Sequence, residues 1–274
     1  MLIQRLRWFH FALLMIAPAS FLSADPLQAK HARIELITEN AGVSAGGDFL
    51  VGVHFMLEPG WHIYWVNPGD SGQPPVFQWQ LPPGITASDI QWPRPQRLQS
   101  SAQIVDYGYR DDVLLMVPLH VTRVDNAGVP QITLNAKWLI CREVCLPDHA
   151  QLRLSFPLAR KAQDPSPAAP LFAAAKRLLP RALPPSWKAR VISRKDYFVL
   201  IVESGRPIAS ADFFPLDPGQ IDNPAPQRFE RTATGANITL KKSDQLVKKI
   251  VRLRGVLALT QGTTYLVDAS VTEP

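Results

Sequence analysis

Cys141 and Cys145 stand three residues apart in the run Lys137-Trp138-Leu139-Ile140-Cys141-Arg142-Glu143-Val144-Cys145-Leu146-Pro147-Asp148-His149, and they are the only cysteines of the sequence. Thiols this close can do what distant thiols cannot: the second can resolve a mixed disulfide formed by the first. As a stabilising staple the pair is weak. Closing so small a ring constrains the unfolded chain by roughly 2 kcal/mol, against nearly 5 for a loop of about 100 residues. Arg142 would favour a thiolate electrostatically, and Glu143 would oppose it. Two other readings stay open. One is a plain hairpin staple. The other is a metal site, because Cys141, Cys145 and His149 recur at intervals of four and Met116 could add a thioether. Soft sulfur donors with one imidazole suit copper, whereas four convincing zinc ligands are lacking. No phosphate-binding glycine loop, serine–histidine–acid arrangement or paired-carboxylate motif stands out, so no cofactor and no resident metal are expected.

The elements that must hold this pair read as strands. Ala32 to Thr38 and Asp48 to Leu57 are the first two, and Phe49, Val51, Val53, Phe55 and Leu57 fall on one face of the second at period two. Trp61 to Val66, Val76 to Leu81, Val113 to Val124, Gln131 to Leu139 and Ala150 to Leu158 follow. Turn formers separate them: Ala45-Gly46-Gly47, Asn67-Pro68-Gly69-Asp70, Pro82-Pro83-Gly84 and Asp125-Asn126-Ala127-Gly128. This is sandwich spacing rather than alternation of strand and helix, and it predicts an immunoglobulin-like β-sandwich over residues 30–158. Seven prolines between 157 and 185 mark a Pro-rich linker over 159–186. Within it Leu171, Phe172, Ala175, Leu178 and Leu179 share a stripe that predicts a short helix packed between two units. Strand patterning resumes at Ala189 to Ser193, Tyr197 to Val202, Ala209 to Phe214, Asn237 to Leu240, Lys248 to Leu259 and Thr263 to Val271. The fold class expected is therefore all-β: two sandwich units joined by the linker, the second and smaller one over 187–274 and free of any chemical motif.

Composition agrees. Of 274 residues 46% are hydrophobic and 19% charged, enough for packed cores, and 26 prolines argue against long helices. The net charge of +6 is not concentrated in any block of like charge, so no nucleic-acid partner is expected. It is uneven, however: residues 25–174 carry 11 Lys/Arg against 14 Asp/Glu, and 175–274 carry 16 against 9. Arg5 and Arg7, the apolar run Phe9 to Leu22 and the small residues Ser23 and Ala24 have the layout of a secretory signal over 1–24. Export to a bacterial periplasm, where disulfide chemistry is permitted, follows as an expectation.

Several motifs in order resemble the DsbD amino-terminal domain family, including its ScsB branch. They are Pro59-Gly60-Trp61-His62-Ile63-Tyr64-Trp65-Val66-Asn67-Pro68-Gly69-Asp70-Ser71-Gly72, then Ile90-Gln91-Trp92-Pro93, then Val105-Asp106-Tyr107-Gly108-Tyr109, and finally Trp138 to Pro147. The resemblance spans about residues 32–158. It implies a periplasmic immunoglobulin-fold domain in which Cys141 and Cys145 are a redox pair passing reducing equivalents to thioredoxin-like or disulfide-isomerase-like proteins. It also implies that an aromatic loop at Asp106, Tyr107 and Tyr109 caps the pair, and that Tyr64, with His62 beside it, lies near the sulfurs. No membrane domain and no thioredoxin-like domain is recognised in the sequence, so the expected electron donor is a separate membrane partner.

Overall fold

The computed structural model describes residues 26–273 apart from 45, 123–128, 160–163 and 261. The expected signal segment over 1–24 and the Asp125–Gly128 turn lie outside the described residues. The chain is nearly all β, 59% strand against 4% helix, as the turn-rich, proline-rich sequence requires. In chain order the first unit holds β1 (Leu27–Ala29), β2 (Ala32–Thr38), β3 (Val43–Ser44), β4 (Asp48–Leu57), β5 (His62–Gly69), β6 (Val76–Gln80) and β7 (Ile85–Ala87). It continues with β8 (Gln96–Ser101), β9 (Ile104–Arg110), β10 (Asp112–Val121), β11 (Gln131–Cys141), β12 (Cys145–Ser155) and β13 (Leu158–Ala159). The helix α1 (Ala169–Leu178) leads into the second unit, which holds β14 (Arg181–Ala182), β15 (Lys188–Ser193), β16 (Tyr197–Glu203), β17 (Ala211–Pro215), β18 (Arg228–Thr232), β19 (Gly235–Lys241), β20 (Arg252–Leu259) and β21 (Thr264–Thr272).

Two main sheets make the first unit an immunoglobulin-like sandwich, and β3 pairs with β13 in a short parallel ladder of its own. One main sheet is ordered β1-β2-β4-β10-β7 and the other β12-β11-β5-β9-β8, with β6 attached to β11. The period-two set Phe49, Val51, Val53, Phe55 and Leu57 is buried in the core between them, and Phe55 meets Trp138 of the opposite sheet edge-on at 5.4 Å. Such alternation is what fixes register, because a slip by one residue would turn the whole apolar set outward.

The helix does not pack between the units as expected. Phe172 and Ala175 instead bury themselves against Ile37, Leu114 and Met116 on the outer face of the first sheet. Gly52 makes room for this: a Cβ there would fall 2.5 Å from Leu114 and 3.0 Å from Phe172. Pro170 opens the helix, where its missing N–H costs nothing, and Pro180 follows its end.

In the second unit one eight-stranded sheet, β17-β20-β21-β15-β16-β19-β18 with β14 beside β21, curls over its own core. The Gln227 side chain bridges the open edges. Its Oε1 accepts the Phe213 N–H at 2.8 Å, and its amide donates to the Phe213 carbonyl at 2.6 Å. Alternation then splits β17 and β20 between two cores. Phe213, Leu253 and Leu257 face inward, whereas Phe214, Val256 and Ala258 join the core of the first unit.

On the first sheet His54 is held between two carboxylates, Nδ1 2.7 Å from Glu35 and Nε2 2.8 Å from Asp112. Burial works against the charged ring, but the bonds to Asp112 and Glu35 outweigh it and the pKa stands above 6.5. A folded-state pKa raised in this way adds stability that is fully present below the unfolded value and is lost as pH rises through the folded one. The melting temperature of the wild type should accordingly fall from pH 6 to pH 8 more steeply than that of His54→Asn. Equal slopes would remove His54 from the account.

Candidate functional site

The cysteines end two antiparallel strands. Eleven rungs pair β11 with β12, from Gln131 with Ser155 to Cys141 with Cys145, and Arg142, Glu143 and Val144 make the turn. Facing residues of an antiparallel pair approach closely enough for a disulfide, and here the Cα atoms are 4.2 Å apart and the sulfurs are bonded. Parity places the bond. Ile132, Leu134, Ala136, Trp138 and Ile140 enter the core, so Cys141 falls on the opposite, outer face of its sheet. That face is not open everywhere: Cys141 is only 2% exposed, while Cys145 is exposed. The turn is fastened by Arg142, whose guanidinium carbon lies 5.3 Å from the Trp61 ring centre, and His31 stacks on the same ring at 3.8 Å. Arg142 is thus placed on an indole, and Val144 beside it is 60% exposed.

What buries Cys141 is Tyr64. Cys141 pairs with His62 across β11 and β5, and Tyr64, two residues on, presents its hydroxyl to both sulfurs. The O–H donates to Cys141 Sγ at 3.0 Å and lies 3.4 Å from Cys145 Sγ. Burial raises the Tyr64 pKa above its ordinary value, so the hydroxyl keeps its proton and remains a donor. His62 meets the Tyr64 ring edge-on at 5.2 Å and is itself buried. Burial lowers its pKa, so the ring is neutral near pH 7, and its Nε2 has no hydrogen-bond partner among the described residues.

A segment after β5 lies over the tyrosine. A Cβ at Gly72 would sit 2.1 Å from Tyr64 Cζ, so only glycine permits this approach, and its φ of 76° asks for glycine too. Ser71 Oγ is 3.5 Å from the Tyr64 hydroxyl and donates to Asp106 Oδ1 at 2.9 Å, as does the Ser71 N–H at 3.0 Å. Ser100 donates to the other oxygen of Asp106 at 2.7 Å. A line of polar groups thus runs from the disulfide through Tyr64 and Ser71 to a buried aspartate.

Asp106, Tyr107 and Tyr109 form strand β9, not a loop, and only one of them reaches this site. Tyr64 pairs with Gly108, so Gly108 and its alternates Asp106 and Arg110 share its face, and Tyr107 and Tyr109 point into the sandwich. The Tyr107 ring meets Trp65 at 6.4 Å and Phe214 of the second unit at 5.5 Å, and its hydroxyl donates to Asn223 at 2.9 Å. Tyr109 donates to the Pro93 carbonyl at 2.8 Å from a buried position. Tyr107 and Tyr109, expected over the pair, therefore lie away from the sulfurs, and the segment around Ser71 and Gly72 is what lies over Tyr64. Copper ligation by the residues considered above also fails on placement. Met116 is buried under α1 on the other sheet, and His149 lies four residues along β12 from Cys145, about 13 Å at strand rise.

The fold and site together define an immunoglobulin-like sandwich that carries a disulfide at the tip of a hairpin. Residues 33–157 match the family described as "Thiol:disulfide interchange protein DsbD, N-terminal". This segment is a DsbD amino-terminal-like domain, a module of the thiol–disulfide interchange class. A solved structure, the N-terminal periplasmic domain of ScsB from Proteus mirabilis, superposes with a TM-score of 0.71 at 18% identity. The superposition covers 93% of this chain and 100% of that one, so the likeness of fold takes in both units. No curated protein matches the chain. Among the described residues no helix is long and apolar enough to cross a membrane.

Proposed function

We propose that this protein is a periplasmic thiol–disulfide interchange component whose reduced Cys141–Cys145 pair passes two electrons to the disulfide of a thioredoxin-like or disulfide-isomerase-like partner. In the first step the Cys145 thiolate attacks one sulfur of the partner disulfide. A mixed disulfide forms and the partner's other sulfur leaves as a thiolate. Cys141 then attacks Cys145 Sγ, closing the intramolecular disulfide and releasing the partner's second thiolate. The partner gains two electrons, the pair loses two, and solvent protonates the released thiolates. Regeneration requires a dithiol donor. Tyr64 has a role in both steps: its O–H stabilises whichever sulfur carries the negative charge.

The observation that carries this reading is the asymmetry of the pair, one sulfur exposed at a hairpin tip and the other under a tyrosine hydroxyl. A staple has no need of a donor aimed at its sulfurs. The reduction potential tests it on purified protein equilibrated with dithiothreitol or glutathione and read by mass spectrometry. A value of roughly −180 to −270 mV is expected, the range of exchanging pairs, and one far below about −300 mV would make the bond structural.

A further inference from the structure

The segment over Tyr64 is tied to the second unit by a buried side chain. Asn223 is 5% exposed and sits where the two units meet. Its Nδ2 donates to Asp70 Oδ1 at 2.7 Å, its Oδ1 accepts the Tyr107 hydroxyl at 2.9 Å, and its carbonyl accepts from Arg97. Asp70 is the residue before Ser71 and Gly72. Its second oxygen accepts the Val105 N–H at 2.8 Å, so one carboxylate joins the covering segment, β9 and the second unit. Two residues upstream of Gly69, the Asn67 amide donates to the Pro215 carbonyl of β17 at 2.8 Å. The loop that carries Asn223 is itself fixed inside the second unit, with the Asp222 N–H on the Lys241 carbonyl at 2.9 Å and Lys241 Nζ on Asp222 at 2.6 Å.

We infer that Asn223 is a positioning residue through which the second unit clamps the Asp70–Gly72 segment onto Tyr64 and so keeps Cys141 the closed sulfur of the pair. The inference concerns regulation of the same site and rests on reading that pair as an exchanging one. Releasing the clamp leaves the buried Tyr107 hydroxyl without its partner and frees Asp70 Oδ1 from the amide that holds it, so the segment is no longer held down at that end and lifts toward water more readily. The structural consequence is regiospecific. With the clamp closed an incoming sulfur meets only Cys145; with it open both sulfurs are within reach, and a partner that pulled on the second unit would expose the second one.

The test reads Cys141 alone, on the full chain carrying Cys145→Ser, by the rate of alkylation with iodoacetamide well below the melting temperature. Adding Asn223→Ala should raise the rate about 3- to 10-fold, what losing one net hydrogen bond does to an opening equilibrium. Asn223→Asp, which sets a second carboxylate against Asp70, should raise it further. Val256→Ala loosens the packing between the units without touching Asp70 and should lower the melting temperature while leaving the rate unchanged. An unchanged rate in the Asn223 variants, or an equal rise in Val256→Ala, would overturn the clamp. If the Asn223 variants do not fold, Tyr107→Phe removes one bond to the same amide and is expected to raise the rate about 3-fold, an unchanged rate again counting against the clamp. Alkylation needs no partner and no exchange, so failure of the relay would leave this result standing, and an exchanging protein without the rate difference would lose only the clamp.

Discussion

Cys141→Ser should trap a mixed disulfide and Cys145→Ser should not. The exposed sulfur is the one a folded partner can reach, and once Cys145 is joined to it, nothing remains in Cys141→Ser to resolve the bond. In Cys145→Ser the remaining thiol lies 2% exposed beneath Tyr64 and meets bulky disulfides slowly. Incubating each reduced variant with a small folded protein disulfide and separating the products without reductant gives the measurement. Conjugate accumulating at least tenfold faster in Cys141→Ser is the expected outcome. Equal trapping would show that the order of attack does not follow exposure, and trapping by neither would return the pair to the status of a staple.

Gly72→Val is the second large effect. Its Cβ would fall inside the Tyr64 ring, 2.1 Å from Cζ, on a residue whose φ of 76° already disfavours any side chain. A left-handed conformation costs about 1–2 kcal/mol and overpacking about 1–3 more. For a chain of this size roughly 2–5 kcal/mol lowers the melting temperature by about 5–15 °C. Gly205→Ala is the internal standard: its φ of 75° has the same sign, yet nothing lies within 4 Å of the added Cβ. That substitution should show the backbone cost alone, about 1–2 kcal/mol. Differential scanning calorimetry of the two decides the matter, since similar losses would mean that the segment yields and that the close approach of Gly72 to Tyr64 is dispensable.

How much of this was legible in the sequence differs from element to element. The strand Asp48–Leu57 could be read to the residue, because five apolar side chains alternate without interruption and no competing signal intrudes. The cysteine pair at the end of Gln131–Cys141 was legible for the same reason, as was the family resemblance it completes. No local signal marks Ile104–Arg110 as a strand, since Asp106, Tyr107, Gly108 and Tyr109 read as turn and loop. Without the strand, the two-residue alternation that turns Tyr107 and Tyr109 away from the disulfide is hidden, and Asp106, Tyr107 and Tyr109 share one expected role. The apolar run expected as a strand over Lys248–Leu259 extends four residues upstream of the observed one, which begins at Arg252. Ser71 lay within the quoted motif, yet its link to Asp106 spans 35 residues and depends on how β5 bends at a bulge. Asn223 carries no local signal at all. Its partners lie 116 and 153 residues away in sequence, and an asparagine before a proline suggests only a turn.

The shared core bears on how this molecule can be cut. Phe214, Val256 and Ala258 are buried in one core with the side chains of the first sandwich. A fragment ending in the proline-rich stretch would present Tyr107 and its neighbours to water as a raw apolar patch and lose the amide that fastens Asp70. Such a fragment is a different protein from the one described: stickier, with its second sulfur uncovered, and a poor guide to how the whole chain chooses where it is attacked.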